Sequence, residues 1–126
     1  MAKTYGDMSA DEKTRYWEVF HHTCDTLRFA IIDLKVAAAG AERSSAASVI
    51  LAEELRLESE LGLLESHSTA VVASAAAITP PSAEDVAKVA ELARQVDVMT
   101  ANAETFRGVL TLAKGALETY GKVRGA

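Results

Sequence analysis

A chain of 126 residues, 49% apolar and 25% charged, has the composition of one folded domain rather than of a disordered segment. Its net charge of −5, with no run of Lys or Arg, excludes the basic face that nucleic-acid binding needs to release counterions. A single cysteine excludes an internal disulfide, and the longest apolar stretch, Ala70 to Ile78, is far short of the ~20 residues a bilayer requires.

The chain opens on "MAKTYGDMSADEKT", which is polar where a signal peptide would be apolar, so a cytoplasmic setting is expected. Residues 1–8 read as a flexible tail and 9–126 as a single helical domain. The first helix is predicted over 9–39. Ser9 with Glu12 three residues on is a capping-box pattern, and Gly40 is a natural stop. Within it Trp17, Phe20, Cys24, Leu27, Ile31, Leu34 and Ala38 recur at steps of three and four, the seam of a helix that faces another along its length.

A second helix is predicted over 44–78, ending before Thr79-Pro80-Pro81 because a residue preceding proline resists helical geometry. Its seam runs Ala47, Ile50, Glu54, Leu57, Leu61, Leu64, Ser68, Val71, Ala75 and Ile78. Glu54 is the one acid on a seam. The simpler reading rotates the helix so that Leu51 and Leu55 enter the core and Glu54 lies at its edge; the sharper one makes it a buried acid or base. A third helix is predicted over 82–121, from Ser82 with Glu84 and Asp85 in the first turn to Gly121. Val89, Leu92, Val96, Met99, Ala103, Phe106, Leu110, Ala113, Leu117 and Tyr120 form its seam. Short connections favour antiparallel neighbours, so the expected fold is all-α: an elongated up-down-up three-helix bundle of coiled-coil character.

The stretch "YWEVFHHTCD", Tyr16 to Asp25, gathers two histidines, a cysteine and two acids. Glu18-x-x-His21 resembles the Glu-x-x-His element of ferritin-like di-iron bundles. That fold needs two such motifs and two further glutamates within four helices, whereas this chain has one. Folding the first hairpin about its loop brings His67 level with this stretch, so His21, Cys24 and His67 are the candidate metal ligands, and zinc would accept them. On the heptad, however, His22, Glu18 and Asp25 point away from the seam and Cys24 sits on it, as on an ordinary helix face. No phosphate loop, nucleophile elbow or Ser/His/Asp set is present, so no enzyme, cofactor or catalytic residue is expected.

Apolar residues left off the seams carry the stronger signal. Phe29, Ile32 and Val36 in the first helix, Leu51 and Leu55 in the second, and Val109 and Leu112 in the third all fall outward, at the end near the 40–45 loop. Large apolar side chains facing water together suggest an interface. Ala101, Gly108 and Gly115, seven apart, add a bare stripe, and helical glycine at a cost of ~1 kcal/mol suggests close approach by another helix. These ten residues are the expected protein interface. The reading is a non-enzymatic interaction protein, of adaptor, chaperone or immunity-like role, that docks a protein or forms a homodimer through this patch. The alternative is a small-ligand or metal-binding bundle using His21, Cys24 and His67. An amphipathic bundle opening on lipid is disfavoured by the acidic charge, so no membrane partner is expected.

Overall fold

The computed structural model describes residues 1–41, 45–99, 101–102 and 104–125. Among them are four α-helices and no strand: α1 (Ala10–Gly40), α2 (Ala46–Val72), α3 (Ala83–Asp97) and α4 (Phe106–Arg124), preceded by a 3-10 turn at Tyr5–Asp7. The all-helical class holds, but the expected count of three does not. The segment read as one helix over 82–121 is two helices folded back on each other. Ala103, placed on the third seam, and residues 42–44 of the 40–45 loop lie outside the described residues.

α1 begins as its sequence dictates. The Ser9 side chain accepts from the Glu12 amide at 3.1 Å and the Glu12 carboxylate accepts from the Ser9 amide at 2.8 Å, a reciprocal pair that satisfies two free donors. Lys3 holds the same carboxylate at 3.1 Å, and these contacts keep the Glu12 carboxyl below the usual carboxylate range, the Ser9 amide most of all. The segment ahead of Ser9, expected to be mobile, makes further contacts. Lys3 and Ile78 exchange backbone hydrogen bonds at 2.7 and 2.8 Å, the Trp17 Nε1–H donates to Tyr5 Oη at 2.9 Å, and Met8 is buried.

α2 runs antiparallel to α1 and stops short of the expected 78. Ser74 takes the left-handed conformation, φ 56°, with its amide donating to Val71 O and the Ala75 amide to Ala70 O. This is the helix-terminating pattern usually built on glycine, here carried by serine. Ala75 is therefore exposed, while Ile78 is buried in extended backbone rather than on a helix.

α3 starts at Ser82, whose side chain caps Asp85 and is capped in return. It runs alongside α1, with the Arg15 side chain donating to Pro81 O at its start. The chain then turns. Asn102 Oδ1 accepts from the Glu104 and Thr105 amides at 2.8 and 3.0 Å, and Thr105 Oγ1 accepts from the Asn102 amide at 2.9 Å. These bonds fix a turn just ahead of α4, the Phe106 amide donates to Asn102 O at 3.0 Å, and α4 runs back along α3. It continues past the expected stop at Gly121 and ends at Gly125, whose φ of 73° supplies the left-handed cap.

α1 lies in the middle and packs against α2, α3 and α4, while α3 and α4 pack on each other. Its burial follows. Beyond the seam, Tyr16, Val19, Thr23, Thr26, Ala30 and Ala37 are also buried, so the helix is enclosed on all but one stripe. The alanines let neighbouring backbones come close. α2, by contrast, packs chiefly on α1 and meets α4 around His67 and Tyr120.

Candidate interaction surface

The stretch Tyr16–Asp25 spreads over several faces of α1. Tyr16 is fully buried, and its hydroxyl lies 3.0 Å from that of Tyr120. His67 Nδ1 lies 2.8 Å from the same Tyr120 hydroxyl. Burial pushes both phenols above their ordinary range, and the hydrogen bond between them adds to the rise at Tyr120. Burial, helped by Arg124, pushes the His67 imidazole below its ordinary value. His21 is exposed and stacks on Trp17, ring centroids 5.6 Å apart. Cys24 is buried and its thiol is pushed up to about 11 by that burial, which removes thiolate character.

The candidate metal set therefore does not assemble. His67 is turned to Tyr120, His21 to Trp17, and Cys24 inward. No group of three or more His, Cys, Asp or Glu able to hold a metal ion occurs among the described residues. Sequence reasoning missed the Tyr16–Tyr120–His67 cluster because Tyr16 falls off the heptad seam, which allowed α1 only one buried face.

The expected apolar patch divides. Ile32 (57% exposed), Val36, Leu51 (46%) and Leu55 (62%) do face outward. Phe29 is partly buried against the core. The residues from the third segment are placed differently from what a single long helix would give. Val109 and Ala101 are buried, and Leu112 packs against the core beside Met99 and Gly108. The bare stripe does mark a close approach, but the visitors are the chain's own α3, at Gly115, and the residues just after it, at Gly108. A Cβ on Gly108 would come within 2.7 Å of Met99 Cε, and one on Gly115 within 3.2 Å of Leu92 Cδ1. The fold-back that splits the third segment covers this face.

Glu54 reverses its simpler reading. It is buried on the α1 side of α2, 3.9 Å from Lys35 Nζ, and Leu51 and Leu55 are the residues left outside. Ile50, Leu57, Leu64 and Val71 fill the contact with α1, and that row carries Glu54 inward with it.

The result is a groove between α1 and α2, lined by Arg28, Ile31, Ile32, Glu58, Leu61 and Gly62, with Glu65 at its rim. Lys35 Nζ reaches from α1 to Glu54 at 3.9 Å and Glu58 at 3.7 Å on α2, where Leu51 and Leu55 stand exposed nearer the helix start. No helix among the described residues is long and apolar enough to cross a membrane. No protein-family model, no curated protein and no solved structure matches the chain.

Proposed function

We propose that this chain is a non-enzymatic helical interaction protein that docks another protein on its α1–α2 face. The observation that carries the reading is the uneven cover of α2. One side of that helix is closed by α1, while Leu51 and Leu55 stand in solvent, and a groove with Ile31, the exposed Ile32 and Leu61 in its lining runs between the two helices. Large apolar side chains clustered on one face, rimmed by charge, mark interaction surfaces more often than scattered ones do. A helix laid in such a groove would gain its affinity from a few anchors, with Ile32 on α1 and Leu55 on α2 both more than half exposed.

The test is capture from the source cell with the purified chain as bait, comparing wild type with Ile32→Asp/Leu55→Asp. Both side chains face outward, so the double variant keeps the helical circular dichroism and melting temperature of the wild type. Loss of a partner that wild type retains supports the reading. A partner held equally by both proteins contradicts it.

A further inference from the structure

The α1–α2 face has a charge layout that specifies more than an apolar patch does. On α1 the residues bordering the groove include Arg28 and Lys35, seven apart and both exposed; on α2 they include Glu58 and Glu65, also seven apart and exposed. One side of the groove is therefore basic and the other acidic, with Ile31, Ile32 and Leu61 between them. Among the described residues Arg28 pairs with the half-exposed Asp25, at 3.8 Å, and Glu65 has no ion-pair partner. Gly62 lies between the two glutamates, and a Cβ built there meets nothing within 4 Å, which leaves a hollow in the acidic side.

We propose that the occupant of this face is a second copy of the chain, docked about a two-fold axis parallel to α1 and α2. This rests on the reading of the face as a docking surface and adds the partner and its orientation. Two two-fold arrangements bring the face against itself. An axis across the helices would stack α1 on α1 and α2 on α2, setting Arg28 and Lys35 against their own kind and Glu58 and Glu65 against theirs. An axis along the helices lays α1 of one copy over α2 of the other, antiparallel. Arg28 then meets Glu58 and Glu65 of the second copy, and Ile32 faces the hollow at Gly62. Like charges directly opposed are unfavourable and opposite ones favourable, so the charge pattern selects the second arrangement.

Size is sufficient. α2 at 1.5 Å per residue is ~40 Å long, and two helices ~10 Å apart present a face of the order of the ~800 Å² per partner that a standard interface uses. Both contacts repeat by symmetry, so the pair closes on itself.

The experiment is light scattering with sedimentation equilibrium, from micromolar to millimolar protein, on wild type, Arg28→Glu, Glu65→Arg, their equimolar mixture, and Ile32→Asp/Leu55→Asp. Wild type should dimerise. Each charge variant alone should dimerise at least tenfold more weakly, and the mixture should recover most of the lost affinity, because both contacts between positions 28 and 65 again join opposite charges in the heterodimer. A wild type that stays monomeric throughout overturns the second copy as occupant, while the docking face remains to be judged by capture. A dimer lost in Ile32→Asp/Leu55→Asp but indifferent to the charge variants, or not rescued by mixing, keeps the face and overturns the axis. A dimer that survives every variant overturns both.

Discussion

Tyr120 shares one hydroxyl between Tyr16 at 3.0 Å and His67 at 2.8 Å, and this short network joins α1, α2 and α4. It makes stability depend on pH in a defined direction. The folded protein holds the His67 imidazole below its ordinary value of 6.5, first by burial and then through Arg124. Just below that value the unfolded chain binds more protons at this site than the native one, so native stability rises with pH through the window. The contribution is present above about 6.5 and is lost as pH falls through the lower, folded value. Melting temperature should therefore drop between pH 7 and pH 5, and His67→Gln should flatten part of that slope; an unchanged slope would remove His67 from the account. A second contrast belongs to this scale. Leu112→Asp should cost roughly 2 kcal/mol or more, since it places a charge against Met99 and the core, whereas Leu55→Asp should stay within ~0.5 kcal/mol. Equal effects in chemical denaturation would mean that one of the two faces is misplaced.

Helix starts were the most legible elements. Ser9 with Glu12 and Ser82 with its acidic first turn both begin helices as their spacing predicts, because a short polar side chain satisfies amides that would otherwise lack partners. Helix ends were less so. Ser74 ends α2 ahead of the Thr79-Pro80-Pro81 stop that the sequence predicts, and Gly121 is passed over for Gly125. The break between α3 and α4 is the largest miss, and its signal was local: Asn102 and Thr105, three residues on, bond each other's amides and close a turn just ahead of α4. The three-and-four spacing of Val96, Met99, Ala103 and Phe106 in the sequence continues in phase across the turn, so periodicity alone reads through it. Asn102→Ala removes the acceptor of two amides and should cost ~1 kcal/mol or more, with faster amide exchange at Glu104 and Thr105. No change in either would show that the turn is held by packing instead.

At the scale of the molecule, the expected elongated bundle gives way to a shorter one with α1 at its centre. A single ~60 Å helix over 82–121 would reach well beyond the shorter α2, and folding it in half lets both halves cover α1 and each other. That fold-back encloses Ala101, Val109, Gly108 and Gly115, which a heptad projection puts outside, and it leaves Ile32, Leu51 and Leu55 where the projection put them. The sequence could show that apolar bulk was left over. It could not show how much the chain covers by itself, because that depends on which segments meet in space. If the α1–α2 face is the one that associates, it loses solvent access as the protein is concentrated. Hydroxyl-radical footprinting read by mass spectrometry tests this most directly, comparing dilute and concentrated protein. Oxidation of Ile32 and Leu55 should fall on association, while Val98, 69% exposed on the α3–α4 side, should not change. Protection of Val98 with Ile32 and Leu55 unaltered, or no protection at any of the three, would contradict the account.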